Sequence, residues 1–167
     1  MKLLHLARRF VRALWPGPPR ETDVAWVGSI LTPAELSLWR RLPNHDRRYS
    51  IRVARNVERA LAGTGYDDPR WQAVALLHDV GKLDTGLGVA SRALATVAGA
   101  VRPSARQSDG RVGRYLRHDE LGEAMLRAAG GREEAAAWAG AHHRRERWED
   151  SGLPGPVAEA LAAADDA

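Results

Sequence analysis

Four of the six histidines, His78, His118, His142 and His143, fall at or near the ends of expected helices, and Asp79 directly follows the first of them. Helix ends from separate segments can converge on one centre. An imidazole and a carboxylate ending a buried helix are costly if the ionised carboxylate is left unpaired; a cation removes that cost. Imidazole nitrogen and carboxylate oxygen together suit Mn, Fe, Co, Ni or Zn, whereas a magnesium site takes more oxygen and water. Asp79 offers two oxygens, so it can join an ion held by His78 to another held by His118 and the His142-His143 pair. One or two divalent transition-metal ions are therefore expected, and such ions lower the pKa of bound water and stabilise charge on a phosphoryl oxygen. The chain has no cysteine, which removes disulfides, thiolate zinc sites and a Cys nucleophile.

Taken singly, each residue has an ordinary explanation. His78 can be a helix-end hydrogen-bonding group, Asp79 a loop-facing residue, and His118-Asp119 a cap for the helix that follows. His142-His143 with Arg144-Arg145 can be a solvated helix end complementing the dipole. Their order along the chain is what points to a site.

The elements that must position them read as helices throughout. Residues 1–15 form a basic amphipathic pattern with Leu3, Leu6, Phe10 and Leu14 on one face, stopped by Pro16-Gly17-Pro18-Pro19. Thr32-Pro33-Ala34-Glu35 is a capping-box start for a helix to about Arg41. From Asn44, Tyr49, Val53, Val57 and Leu61 recur four apart until Gly63, and the Arg-rich opposite face reads as solvated. Asp67 or Asp68 caps a helix opened by Pro69 that is apolar almost all round and ends in HDVGK. The small-residue stretch 85–101 predicts a closely packed helix, and 101–111 the one mobile loop. Helices over about 112–129 and 132–143 precede a Pro/Gly break at 153–156 and a last helix from Val157.

At 167 residues with 44% hydrophobic and 28% charged residues, the chain suits one globular domain with a substantial core. No stretch approaches the roughly 20 apolar residues of a membrane span, and Arg8, Arg9 and Arg12 break up any signal-peptide apolar region, so a cytoplasmic protein is expected. The net charge of +4 is modest and almost all its cations are arginines, with Lys2 and Lys82 the only lysines. Nucleic-acid binding gains little support from that balance.

LLHDVGK at 76–82 resembles the motif of the HD superfamily of metal-dependent phosphohydrolases, and the resemblance covers about residues 44–166. It implies an all-α, single-domain helical bundle at 44–167, with residues 1–43 as an N-terminal helical extension packed on it. By this likeness His78 and Asp79 match the dyad, and His118 in RYLRHDELGEAML matches the next histidine. His142-His143 in AGAHHRRE match the pair, and Asp165 in ALAAADD matches the final Asp, with Asp166 as the other register. Lys82 matches a lysine beside the dyad that contacts a phosphate or carboxylate.

The implied function is hydrolysis of a nucleotide or another small phosphate ester, with Asp79 and Lys82 at the reacting centre. Arg92 and Arg144 are candidates for neutralising the substrate phosphate. DRRYSIRVARNVE resembles the family's first helix but carries Tyr49 where a ligand histidine is expected. A neutral phenol, with a pKa near 10, is a poor ligand. His45 lies one helical turn earlier and could substitute, although Pro43-Asn44 beside it favours a loop or cap position. The alternative function is a degenerate HD domain that binds a metal, a nucleotide or a protein partner without turnover.

Overall fold

The computed structural model describes residues 17–167, so the amphipathic pattern read over residues 1–15 lies outside the described residues. The described residues are helical and contain no strand. In chain order the helices are α1 (Glu21–Ile30), α2 (Pro33–Arg41), α3 (Asn44–Leu61), α4 (Pro69–Leu77), α5 (Val89–Val101), α6 (Arg111–Leu116), α7 (His118–Ala128), α8 (Glu133–Ala141) and α9 (Gly155–Asp165). Short 3-10 segments at Val80–Thr85 and Pro103–Gln107 flank α5. Among the described residues no helix is long and apolar enough to cross a membrane.

Local chemistry sets most of the helix ends. Thr32 accepts from the Glu35 amide while Glu35 Oε2 accepts from the Thr32 amide at 2.9 Å, a complete capping box on α2. Asp68 accepts from the Arg70 amide at 2.8 Å and Pro69 opens α4. After α3, Gly63 adopts a φ of 70°, a left-handed turn that glycine enters without a Cβ penalty.

Helix α4 forms the centre, and every residue from Trp71 to Leu77 is buried. It packs between α3 and α8, with α1, α2 and α9 around it. Val53 and Val57 of α3, Leu126 of α7, Trp138 of α8 and Leu161 of α9 share its core. Each such side chain contributes about 1.5–3 kcal/mol on burial. The chemically interesting residues lie where α4 ends, at one edge of this core.

Several elements depart from the sequence reading. Helix α1 was not anticipated: its buried face comes down to Val27, too little to stand out as a period, although Glu21 and Asp23 in the first turn suit a helix N-terminus. The expected single helix over 112–129 is two, because Arg117 (φ −109°, ψ 20°) turns the chain and its amide closes α6 on Gly113 and Arg114. Helix α5 is not closely packed; Arg92 and Ala95 are buried, whereas Leu94, Val97 and Val101 are exposed. The segment read as a mobile loop contains a 3-10 turn whose Arg106 is bonded to Asp119. The arginines of α3 also do more than face water: Arg55 lies 3.5 Å over the Trp26 ring, Arg52 over Tyr49 and Arg47 over Trp39. A flat guanidinium stacks on an aromatic face, so Arg55 and Arg47 tie α3 to α1 and α2, while the Arg52–Tyr49 stack lies within α3.

Candidate metal centre

Three histidines are oriented by the backbone carbonyl three residues before each of them. His78 Nδ1 lies 2.7 Å from the Ala75 carbonyl, His118 Nδ1 2.7 Å from that of Tyr115, and His142 Nδ1 2.9 Å from that of Ala139. A carbonyl oxygen only accepts, so each Nδ1 carries the hydrogen and each Nε2 is turned away from its helix. The three Nε2 atoms converge on Asp79. His78 Nε2 is 3.3 Å from Oδ2, while His118 and His142 Nε2 are 3.3 and 3.8 Å from Oδ1. His143 Nε2 lies 2.9 Å from His118 Nε2. Asp79, His118, His142 and His143 each bring one ligand atom within 4.8 Å of the others.

The remaining candidates fall around this cluster. Asp165 Oδ1, at the end of α9, is 3.4 Å from His78 Nε2, and Asp166 is exposed. Tyr49 points to the same place, but as a donor: its hydroxyl bonds the Asp165 carboxylate and, at 2.7 Å, the Asp165 carbonyl. Lys82, on the 3-10 turn, donates to Asp79 Oδ2. His45 is engaged elsewhere, its Nε2 lying 3.3 Å from both Asp46 Oδ1 and Arg92 Nη1. Arg92 is buried and bonds both Asp46 oxygens at 2.8 and 2.7 Å, which couples α5 to the start of α3. Arg144 reaches Asp119 Oδ2 at 3.1 Å.

Electrostatics separates the two sides of Asp79. Burial opposes a charge on His78, yet the carboxylates of Asp79 and Asp165 outweigh it and push His78 up to about 10. His142 goes the other way, down to about 4, because burial and then the His78 charge disfavour its cationic form. Burial raises Asp79, but the charges of Lys82 and His78 prevail and hold it well below the usual carboxylate range. A neutral imidazole and an ionised carboxylate are the forms that ligate metal.

The donor set fits a metal ion on a separate observation. His78 Nε2, Asp79 Oδ1 and His142 Nε2 are buried and lack a hydrogen-bond partner. A buried polar atom left unbonded costs about 1–3 kcal/mol, and all three face one cluster. A cation there satisfies the lone pairs of Asp79 Oδ1 and His142 Nε2, which no donor bonds.

Two supports of this centre were not read from the sequence. Asp119 is 1% exposed and is gripped by Arg106 Nη2 at 2.7 and 2.8 Å and by Arg144 Nη2 at 3.1 Å. It thereby fastens the start of α7, with His118, to the residue following His143. These partners are 13 and 25 residues away, so no local pattern announces them. The second is Gly81, where a Cβ would stand 1.9 Å from the His118 carbonyl oxygen and 2.5 Å from the Gly122 amide. The glycine lets the turn carrying Lys82 press directly onto α7. Gly81→Ala is expected to lower stability by about 3 kcal/mol, the upper end for overpacking, read from urea unfolding. Unchanged stability would mean that turn and helix can part freely.

No curated protein and no solved structure matches the chain. The HD domain family matches residues 49–166, from Tyr49 through the end of α9, and so covers the helices that carry every member of the cluster. The chain belongs to the HD-domain superfamily of metal-dependent phosphohydrolases.

Proposed function

We propose that this chain hydrolyses a nucleotide or another small phosphate ester at a divalent transition-metal centre formed by Asp79, His118, His142 and His143, with His78 and Asp165 beside it. The observation that carries this reading is the set of imidazole Nε2 atoms turned onto a buried carboxylate, with His142 Nε2 and Asp79 Oδ1 buried and without a hydrogen-bond partner. A divalent ion bound there supplies a Lewis acid for a phosphoryl oxygen and acidifies coordinated water.

The chain's own residues do the positioning. His118 and His142 are locked in one tautomer by the Tyr115 and Ala139 carbonyls, so their lone pairs need no reorientation when an ion arrives. Lys82 holds Asp79 Oδ2 and adds a positive charge to the same cluster, where it can meet an arriving phosphate. Arg144, with a third of its side chain exposed, is the better placed of the two candidate guanidiniums. Arg92 has its charge matched by Asp46, and its contribution is to hold α5 against α3.

A second reading, a domain that binds metal or nucleotide without turnover, is favoured by Tyr49, whose hydroxyl is bound to Asp165. Elemental analysis of protein purified without chelator, paired with a manganese-supported panel of nucleotides and a generic phosphodiester, separates the two. Bound metal and phosphate release that a chelator abolishes is the expected result. Metal-free, inactive protein would overturn the hydrolase reading, and bound metal with no turnover across the panel would favour the second.

A further inference from the structure

The two oxygens of Asp79 have different neighbours. Oδ1 is buried without a hydrogen-bond partner and faces His118 and His142, and of these two it is His142 whose Nε2 is likewise buried and unpartnered. Oδ2 instead accepts from the Lys82 ammonium, with His78 Nε2 at 3.3 Å. The other carboxylate oxygen near His78, Asp165 Oδ1, accepts from the Tyr49 hydroxyl.

We propose that this chain holds a single metal ion, on the Oδ1 side of Asp79 among His118, His142 and His143, and that Lys82 together with the Tyr49–Asp165 pair closes the Oδ2 side to a second. The inference rests on the reading of the Oδ1 cluster as a metal centre. A second ion beside Oδ2 would have at most His78, Asp79 and Asp165 as ligands, and to reach them it must displace a lysine from one carboxylate and a phenol from the other. It would also stand next to an ammonium in a buried setting, where like charges repel strongly. Lys82 thus supplies the positive charge that a second cation would otherwise bring. Asp165 becomes the anchor of a tie between α3 and α9, because one Tyr49 hydroxyl bonds both its carboxylate and its carbonyl.

Full-length protein loaded with excess Mn(II) and freed of unbound ion tests this by elemental analysis and electron paramagnetic resonance. One equivalent per chain with an isolated six-line manganese signal is expected. Asp165→Asn and Tyr49→Phe should each keep one ion with less than about a tenfold change in affinity, whereas His142→Ala should weaken binding by more than about 100-fold, beyond what outer contacts cost. Circular dichroism identifies any variant that has not folded, and the parent stoichiometry decides the matter even then. Two equivalents with an exchange-coupled spectrum would overturn the single-ion proposal while leaving the metal-centre reading intact. Loss of the ion from folded Asp165→Asn would also overturn it. A parent chain that binds no manganese would remove the metal centre itself.

Discussion

Asp79→Asn is expected to leave the centre without its ion and to lower phosphate-ester hydrolysis about a thousandfold, since several kcal/mol of charge stabilisation at roughly 1.4 kcal/mol per tenfold corresponds to that loss. The substitution keeps the shape of the side chain, so the effect isolates its charge. Asp79 is the one residue that His78, His118, His142 and Lys82 all face. Removing its charge also leaves Lys82, nearly buried, without its counter-ion, and breaking a buried pair from one side costs about 3–5 kcal/mol. Metal content, steady-state hydrolysis and thermal unfolding on one preparation distinguish the effects. An Asp79→Asn protein that retains its metal and its rate would show that the carboxylate is not the hub of the centre.

The second large effect is expected far from the metal. Glu35→Ala should lower stability by about 3–5 kcal/mol and the melting temperature by roughly 10 °C, at about 2–4 °C per kcal/mol for a chain of this size. Glu35 is fully buried. Its Oε1 accepts from the Arg132 amide at 2.9 Å and from Arg132 Nε at 2.8 Å, and its Oε2 accepts from the Thr32 amide and from Arg132 Nη2, each at 2.9 Å. Truncation leaves both amides and Arg132 Nε without that acceptor, and the guanidinium with the Ile30 carbonyl at 3.2 Å.

The pH dependence of this link has a definite sign. Burial raises the Glu35 pKa, but the amides of Arg132 and Thr32 and then the Arg132 guanidinium outweigh it, so the carboxyl stays below its ordinary 4.5. A lowered folded-state pKa adds stability that is fully present above pH 4.5 and is lost as pH falls through the folded value. The gap between parent and Glu35→Ala should therefore be widest near neutrality and shrink in acid. Paired urea titrations at about pH 7 and pH 3 measure it, and a gap that widens on acidification would contradict the assignment.

Glu35 also illustrates how far a sequence pattern reaches. Its place in a Thr-Pro-x-Glu start marks the capping box of α2, and that local bond is present. Nothing in the pattern indicates that the same carboxylate also holds Arg132, 97 residues away at the entrance to α8. The exposure of α5 was hidden for a related reason: small residues permit close packing, but whether a partner arrives depends on the rest of the fold. Tyr49 divides in the same manner, since its break from the ligand pattern is visible in the chain, whereas its bond to Asp165 joins residues 116 apart.

By itself the sequence determined the all-helical class, most helix starts and stops, and the ordered set His78-Asp79, His118, His142-His143. These depend on hydrophobic period, capping and turn chemistry, which act within a few residues. Even the inward turn of each ring is local, since His78, His118 and His142 bond the carbonyl three positions back. Only the tertiary structure decided which oxygen of Asp79 meets which partner. That choice depends on the close approach of the Gly81 turn to α7, the grip of Arg106 and Arg144 on Asp119, and the end of α9 meeting Tyr49. Such contacts form when distant segments pack a common core, and their geometry is a property of the assembled helices and of no single stretch of chain.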